Sequence, residues 1–432
     1  MLRSLGITIA ALVSGLGASR SPAPDCPPYL VGTGDLPGDT FLSFANSLTP
    51  DGQVVVGGSN ADDPDVPNDG DSASWAHANQ GFQWTPPCTL TPQVIEGFGY
   101  PFSGVHQESN TKSISPDGAF VAGDATYGAN IPTTFKPVLW SSPGTFLELE
   151  RLPGHASGSA NDVSNRAHLA PAVTPGPRGD RRVVVGYSTT ASNHAHRVPG
   201  AVPVYWTYPS TTPVPLPFPS GTSATFGEAR GVSRDGRVIV GNLYEFVGGT
   251  RVTTTACAWV WRPGRSGGFE PLVLGPPAGR LSGWVAGISD DGTVVTGNGF
   301  DDPDGFGEET PCVWRGSGPP PSFGFGAPEV LPMLAGSSGG SALGVSADGA
   351  VVGGQCVIDF ATHAVRWSGP GLATIEDVLD TATLHAIDPG TWTLYYVTGI
   401  SADGEMLIGT GDHLDENDEF VIEGWAARLP LP

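Results

Sequence analysis

Carboxylates gathered in short acidic segments are the residues of this chain whose types and spacing best fit a chemical role. The letters Asp-Asp-Pro-Asp occur twice, each time shortly after a run of valines and glycines. Calcium prefers roughly six to eight oxygen ligands, which flexible loops rich in carboxylates supply. The repeated pattern therefore points to calcium, and no other cofactor is indicated. The candidate ligands are Asp62, Asp63, Asp65, Asp301, Asp302 and Asp304.

A third acidic segment lies between residues 412 and 419. None of the three segments matches the twelve-residue pattern of an EF-hand loop. A second interpretation therefore stays open, in which the three segments are solvated turns without a metal.

Other motifs associated with catalysis carry less weight. His194 and His196 could place two imidazoles on one side of an extended segment, but the sequence offers no obvious third ligand. Residues 336–340 match Gly-x-Ser-x-Gly, yet a nucleophile elbow needs a strand that runs into a helix, and a link between two strands is expected here. No HExxH, Walker or Rossmann pattern is present.

The strands and turns that would position such residues are predicted from a short sequence motif that recurs along the chain. A Ser or Thr, one variable residue, Asp and Gly are followed by valines or isoleucines and a further glycine. The Asp accepts hydrogen bonds within a tight hairpin turn and the Gly supplies a positive φ, so these aspartates are predicted to be structural. The six copies begin at Thr49, Ser115, Ser233, Ser289, Ser346 and Ser401.

Each copy belongs to a unit of four short β-branched or aromatic segments bounded by Gly, Pro, Asp or Asn, which is a strand pattern. The third segment ends in a tryptophan, and the fourth often ends in Leu-Pro-Gly. A ring that returns once per unit is predicted to pack between neighbouring sheets, with sugar stacking as the alternative. The recurring tryptophans are Trp84, Trp140, Trp206, Trp261, Trp314 and Trp367.

Counting the units predicts the topology. A seventh, degenerate unit lies around Ser164, where a Pro- and Gly-rich insertion replaces the tight turn. The last unit stops one strand short, and residues 29–38 align with the missing fourth strand. We therefore predict an all-β, seven-bladed β-propeller of four-stranded antiparallel blades, closed by three C-terminal strands and one N-terminal strand. The domain spans residues 29–428, with repeats at about 40–97, 103–153, 155–219, 222–275, 280–335, 338–380 and 388–428.

Composition bounds the partners. The net charge of −23 argues against nucleic acid and anionic lipid. Residues 1–23 resemble a secretory signal, with Arg3 before an apolar stretch, which predicts a secreted, periplasmic or cell-surface protein. No later stretch is long and apolar enough to span a membrane, and we expect the mature chain to be a monomer.

The five cysteines form no CxxC pair, so a zinc site is not expected. Export permits disulfides, and an odd number leaves at least one thiol unpaired within the chain. Cys26 and Cys88 each precede a fourth strand in neighbouring blades, which makes a disulfide between them conceivable.

The units resemble the HAF-type extracellular repeats of exported bacterial proteins. Residues 336–354 carry the resemblance, with a Gly/Ser link, a small-residue strand, Asp-Gly and Val-Val-Gly in order. The turns also resemble the hairpins of TolB-type propellers. These likenesses imply a propeller that is exported, and they imply no particular activity.

Two classes of function stay open, together with a purely structural cell-surface role. Regular scaffold positions and variable loops favour a non-enzymatic propeller that binds a protein or a glycan through its loops. The alternative is a secreted carbohydrate-active hydrolase or lyase with its site at the central channel. For that alternative the candidates near the starts of first strands are His106, Asn110, Glu228 and Arg230.

Overall fold

Seven antiparallel sheets follow one another around a central channel, as the repeat count predicts. The structure is a computed structural model. It describes residues 27–36, 41–61, 78–86, 96–99, 108–127, 134–165, 181–191, 200–262, 268–318, 322–387, 390, 392–415 and 419–432. These sheets confirm the predicted seven-bladed propeller of four-stranded antiparallel blades, with one additional short strand in blade 5.

The strands of the first three blades run in chain order from the channel outward. Blade 1 comprises β2 (Ser43–Leu48), β3 (Val55–Ala61), β4 (Ala78–Trp84) and β5 (Glu96–Gly97). Blade 2 comprises β6 (Glu108–Ile114), β7 (Val121–Tyr127), β8 (Thr134–Ser142) and β9 (Thr145–Glu148). Blade 3 comprises β10 (Ser157–Val163), β11 (Arg182–Thr189), β12 (Ala201–Tyr208) and β13 (Val214–Pro215).

Blades 4 to 6 repeat this order with small additions. Blade 4 comprises β14 (Phe226–Val232), β15 (Val238–Val247), β16 (Thr250–Trp261) and β17 (Phe269–Leu274). Blade 5 comprises β18 (Ser282–Ile288), β19 (Val294–Phe300), β20 (Glu309–Ser317), β21 (Gly324–Phe325) and β22 (Glu329–Val330). Blade 6 comprises β23 (Gly339–Val345), β24 (Val352–Ile358), β25 (Ala361–Ser368) and β26 (Thr374–Asp377).

Blade 7 closes the ring with strands from both ends of the chain. It comprises β27 (Thr393–Ile400), β28 (Met406–Leu414), β29 (Phe420–Arg428) and β1 (Tyr29–Gly32). β1 pairs antiparallel with β29, as the alignment of residues 29–38 with a fourth strand predicts. The chain then crosses to blade 1, where the Leu36 N–H donates to the Ser59 hydroxyl at 2.9 Å. The Leu152 N–H donates to Ser188 in the same way between blades 2 and 3.

The Asp-Gly turns have the predicted structural role. In each of the six copies the Ser or Thr hydroxyl donates to the Asp carboxylate, which also accepts the N–H two residues further on. The glycine of each turn has φ between 68° and 77°. These carboxylates complete a local hydrogen-bond network, which accounts for their recurrence without any metal or catalytic role.

The recurring tryptophans pack between blades, as predicted. In the fourth unit, however, the tryptophan predicted for this position, Trp261, is two residues from the correct one. Trp206, Trp314 and Trp367 pair with the residue two positions before a second-strand glycine. In blade 4 that position belongs to Trp259, not Trp261. Both rings lie on the same side of β16, because side chains alternate along a strand, so sequence spacing could not separate them.

The preceding blade receives each of these rings. The indole N–H groups of Trp206, Trp259, Trp314 and Trp367 donate to carbonyls that follow the fourth strand of the blade before, at 2.6–2.9 Å. Seven apolar clusters lie between the blades, and each buries one such tryptophan or its equivalent. Burial of these large rings is a major source of the free energy that holds neighbouring blades together.

Three features were not predicted. A helix α1 (Val378–Leu384) follows β26, and Asp377 caps it by accepting the N–H groups of Leu379 and Asp380. A short 3-10 helix also lies at Pro370–Leu372. In blade 5 both β21 and β22 pair with β20, so this blade has five strands instead of four.

Candidate functional site in the central channel

The central channel is lined by the first strands of all seven blades and encloses about 540 Å³. Every first strand carries a β-bulge, at which one residue is skipped in the pairing with the second strand. β27 skips two residues, Tyr395 and Thr398, and the other first strands skip one each. One skipped residue from each strand lines the channel. We call these seven residues the channel ring: Asn46, Lys112, Asn161, Arg230, Ala286, Leu343 and Thr398.

A glycine on the second strand makes each bulge possible. A Cβ built on Gly241 would lie 2.1 Å from the Glu228 carbonyl oxygen, and one on Gly57 would lie 1.9 Å from that of Phe44. The equivalent glycines of the other blades make the same close approach. The recurring Val-Val-Gly therefore holds the bulge, and the bulge directs the ring residue toward the channel axis.

Blades 1 to 4 contribute the polar arc of the channel ring. Lys112 lies 2.9 Å from the fully buried carboxylate of Asp124, and it donates to Ser159 at 2.7 Å. Asn161 accepts from Lys112 at 3.4 Å through its side-chain oxygen. The ammonium group is thus held by blade 3 as well as by its own blade, which fixes its position at the channel wall.

Arg230 has a similar environment in blade 4, two blades further on. Its guanidinium lies 3.3 Å from the buried carboxylate of Glu228, which also accepts a hydrogen bond from the Tyr244 hydroxyl at 2.9 Å. The guanidinium lies over the Trp284 ring at 4.8 Å from the centroid. Trp284 is itself a channel residue. A planar cation and an aromatic ring therefore stand side by side in the channel.

Ring residues also tie adjacent blades together. The side chains of Asn46, Asn161 and Thr398 each donate to the carbonyl that precedes the ring residue of the next blade, at 2.7–2.8 Å. These bonds hold the polar side chains in place in the absence of a ligand. The entropic cost of ordering these side chains on binding is therefore small.

Blades 5 to 7 form a contrasting, largely apolar arc. Ala286 and Leu343 are its ring residues, together with the methyl-bearing Thr398. The residue after each bulge is a glycine in this arc, at Gly287, Gly344 and Gly399. The channel therefore offers several hydrogen-bonding side chains on one side and a mostly apolar wall on the other, with Asp290 of blade 5 as a carboxylate at the turn end of that wall. Such a mixture of apolar lining and a few polar groups is typical of small-ligand sites.

Two carboxylates line the channel toward the Asp-Gly turns. Asp162 accepts from the Ser113 hydroxyl and from the Val232 N–H, so it joins blades 2 and 4. Burial raises the pKa of Asp162 in spite of these bonds. Burial also raises the pKa of Asp290 to about 6, although Arg234 at 3.9 Å opposes the shift. A carboxyl group whose pKa is raised by burial holds its proton to a higher pH than usual, which is what a general acid needs.

The acidic loop that was predicted to bind calcium is described for residues 301–308. Asp302 accepts the N–H groups of Gly305 and Phe306, and Asp301 accepts that of Glu308. Asp304 accepts the N–H of Phe306 at 3.3 Å. These bonds give the loop its shape. Within the described residues no group of three or more His, Cys, Asp or Glu side chains is placed to hold a metal ion, and the calcium site stays a prediction.

Several predicted residues lie outside the described part of the chain. They are Asp62, Asp63, Asp65, Cys26, Cys88, His106, His194, His196 and the signal segment 1–23. Of the candidates that are described, Arg230 lines the channel, whereas Glu228 lies behind it as the carboxylate partner. Asn110 donates to Asp124 at 3.1 Å.

Sequence reasoning missed the channel ring as a set, although a signal was present. Each ring residue stands three positions before the Ser or Thr that begins the turn phrase, as Arg230 does before Ser233 and Thr398 before Ser401. The residue type varies at this position while its neighbours repeat. Differing residue types at one position of an otherwise regular scaffold are typical of residues that contact ligands.

The remaining cysteines that are described, Cys257, Cys312 and Cys356, are buried free thiols. Burial raises the pKa of all three above the ordinary thiol value, so they lack the thiolate character of reactive cysteines. None of the described helices is long and apolar enough to cross a membrane.

Solved structures that resemble this fold are propellers or contain them. The β-propeller domain of the Trilobed protease from Pyrococcus furiosus aligns over 91% of this chain and 97% of its own, with 11% identity and a TM-score of 0.47. TolB from Acinetobacter baumannii aligns over 87% and 80%, with 11% identity and a TM-score of 0.38. Prolyl oligopeptidase B from Galerina marginata aligns over 91% and 51%, with 12% identity and a TM-score of 0.47.

These similarities concern the fold and carry no information about activity. No protein-family model matches the chain, and no curated protein matches its sequence.

Proposed function

We propose that this chain is an exported β-propeller that binds a ligand without transforming it, and that the ligand is a carbohydrate held in the central channel. The observation that supports this proposal best is the channel ring. Seven equivalent positions are aimed at one space by bulges, and their side chains differ from blade to blade.

The chemistry of the two arcs suits a sugar. Amide, ammonium and guanidinium groups of the polar arc can bond hydroxyl groups, which act as donors and acceptors at once. Trp284 and the apolar arc offer surfaces for the C–H faces of a pyranose ring. Because Asp124 and Glu228 balance the charges of Lys112 and Arg230, the site favours a neutral sugar over a strongly anionic one.

The HAF-type resemblance and the signal-like residues 1–23 support export and remain part of the proposal. A protein ligand at the loops would be compatible with the same scaffold. A structural role at the cell surface would leave the variation at the channel ring without a purpose.

A carbohydrate-active enzyme is the second candidate, and one observation favours it. Asp162 and Asp290 line the same channel and both have raised pKa values, so one of them could be protonated while it faces a bound substrate. Such a pair is the minimum that acid-assisted glycosidic cleavage requires.

The test is a screen of immobilised glycans and polysaccharides at a defined calcium concentration, read for both retention and turnover. We expect retention of at least one neutral polysaccharide with no release of reducing ends. Depolymerisation that is abolished by Asp290→Asn would replace the proposal by the enzyme. Failure to retain any carbohydrate would remove it altogether.

A further inference from the structure

The hairpins formed by the second and third strands of blades 4 to 7 each present one exposed apolar side chain, either in the connecting loop or at the strand end next to it. These side chains are Val247, Phe306, Phe360 and Phe420, and they are between 62% and 102% exposed. In an antiparallel blade these loops lie at the end opposite the Asp-Gly turns. We call this end of the ring the hairpin face and these four residues the hairpin-face crescent.

Exposed apolar side chains are concentrated at this face. Leu281 directly precedes β18, and Leu384 ends α1 in the connection that leads to β27. Together with the crescent they are the six most exposed large hydrophobic residues in the described part of the chain. Scattered single residues need no explanation, but a set confined to one face of successive blades is typical of an interaction surface.

Phe360 shows most clearly that the crescent does not serve the fold. It forms the two-residue turn between β24 and β25 with Asp359, and the two residues have φ values of 68° and 48°. Turns with two positive φ angles favour Asn-Gly or Asp-Gly, because a Cβ is strained there. A phenylalanine at this position makes the turn less favourable and buries nothing in return, since it is fully exposed.

Phe306 is held in place by the neighbouring blade. The Arg251 guanidinium of β16 lies over the Phe306 ring at 4.0 Å from the centroid. The Thr254 N–H donates to the Pro303 carbonyl at 2.8 Å, and its hydroxyl donates to that of Asp304. The loop of blade 5 is therefore fixed against blade 4 while its phenylalanine projects outward.

The surface around the crescent is acidic. Asp301, Asp359 and Glu419 are exposed next to the apolar tips, and Glu308 is exposed although it pairs with Arg280 at 3.4 Å. Together with the net charge of −23, these carboxylates repel anionic lipid and a second copy of this chain. They attract a partner of opposite charge, which adds to association rate and specificity.

We propose that the hairpin-face crescent docks an amphipathic protein segment that carries apolar side chains together with Lys and Arg. The apolar tips supply contact area and the carboxylates around them supply charge complementarity. This surface lies apart from the channel ring, so the proposal stands whether or not the channel binds carbohydrate.

The test uses the full chain and three fluorescent peptides. The probe is a basic amphipathic peptide of five Leu-Lys-Lys-Leu repeats. The two controls are an equally charged peptide with Ser in place of Leu, and an acidic peptide with Glu in place of Lys. Fluorescence anisotropy at about 0.15 M salt, where exposed charges are partly screened, should show the basic amphipathic peptide binding at least tenfold more tightly than either control.

The matched protein variants keep every charge. F306S/F360S/F420S removes the aromatic tips, and F146S/V273S/V330S removes exposed apolar residues from fourth strands. We expect the first variant to lose about tenfold in affinity and the second to bind as the wild type. F360S alone alters only a fully exposed residue and should lose part of the affinity. This single variant keeps the test valid if the triple variant does not fold.

Three results would overturn the proposal. The first is equal affinity of the wild type and F306S/F360S/F420S for the basic amphipathic peptide. The second is concentration-dependent dimerisation in sedimentation that this variant abolishes, which would make a second copy the occupant. The third is stronger binding to vesicles of phosphatidylserine than to the peptide.

Discussion

The two ends of the blades use the same residue types for different purposes. At the turn face, aspartates such as Asp235 and Asp348 form one short loop six times, with the same hydrogen bonds each time. At the hairpin face, the loops of blades 5 and 6 differ in length, from the two residues Asp359–Phe360 to residues 301–308, and each of the two exposes an aromatic ring. The turn is therefore the same in six of the seven blades, whereas the hairpin-face loops differ from blade to blade.

The channel lies between these extremes. The backbone of every channel-ring position is fixed by a bulge and a glycine, whereas its side chain ranges from Ala286 to Arg230. Repetition in this chain marks the scaffold, and the variable residues at one fixed position of that scaffold are where we propose that a ligand binds.

The largest effect is expected where the scaffold permits no side chain. Gly241→Ala would place a Cβ 2.1 Å from a backbone carbonyl, so we expect a loss of about 3 kcal/mol or more in the free energy of unfolding. Gly249→Ala is the hairpin-face control. It has a positive φ but no atom within 4 Å of the added Cβ, so a loss of about 1 kcal/mol is expected. Urea titrations measure both, and equal losses would contradict this difference.

Much of this scaffold was predictable, because hairpin turns and strands leave recognisable patterns in short stretches of sequence. Asp-Gly favours the same tight turn in each repeat. The last unit lacks a fourth strand, and only the N-terminal residues 29–38 match that strand. The channel ring was harder to find, since a bulge inserts a single residue and its partner glycine, such as Gly241, resembles any other strand glycine.

Two further features depended on tertiary context. Trp259 and Trp261 lie on the same face of one strand, and only pairing with β15 and packing against blade 3 distinguish them. Helix α1 has a good N-cap in Asp377, but a helix this short forms only because packing supports it.

The second largest effect is expected at Asp117, the one turn aspartate that also neutralises a buried arginine of the next blade. Arg182 is fully buried and makes two 2.8 Å bonds to Asp117. Asp117→Ala should therefore cost about 2 kcal/mol, because a buried cation loses its carboxylate. Asp348→Ala at another turn should cost about 1 kcal/mol, and Asp304→Ala at the hairpin face about 0.5 kcal/mol. Thermal and urea unfolding give the order, and a cost for Asp304→Ala as large as that for Asp117→Ala would break the comparison.

Lowering the pH should change the stability contributions of Asp117 and Asp35 in opposite directions. Burial tends to raise the pKa of Asp117, but the bonds and charge of Arg182 outweigh it and lower the pKa to about 2. Asp117 therefore contributes stability that is present above pH ~4, the ordinary value in an unfolded chain, and is lost toward pH ~2. The stability difference between wild type and Asp117→Asn should shrink across that window.

Asp35, in the segment that closes the ring, should show the reverse. Burial raises its pKa to about 6 despite its hydrogen bond from Ser59, and the nearby Glu423 adds to the rise. Its contribution should thus grow as pH falls from ~6 to ~4 and be lost as pH rises through ~6. Asp35→Asn should lack this dependence. A flat difference between wild type and Asp35→Asn from pH 7 to 4 would contradict the assignment.

The smallest effect is expected from calcium at the acidic loops. We expect added calcium to raise the melting temperature by several degrees relative to EDTA, because carboxylates in these loops repel one another without a cation. Replacing Asp62, Asp63 and Asp65 by Asn in one variant, and Asp301, Asp302 and Asp304 in another, locates the site. Identical melts in calcium and EDTA would remove calcium from the account.

The most direct test of the central claim is calorimetric titration of the polysaccharide retained in the screen into three variants. Trp284→Ala alters the channel, Trp261→Phe alters a tryptophan outside it, and F306S/F360S/F420S alters the hairpin-face crescent. We predict that Trp284→Ala weakens binding at least tenfold while the other two bind as the wild type. Wild-type affinity in Trp284→Ala, with loss in the crescent variant, would place the carbohydrate at the hairpin face and contradict a ligand-binding channel.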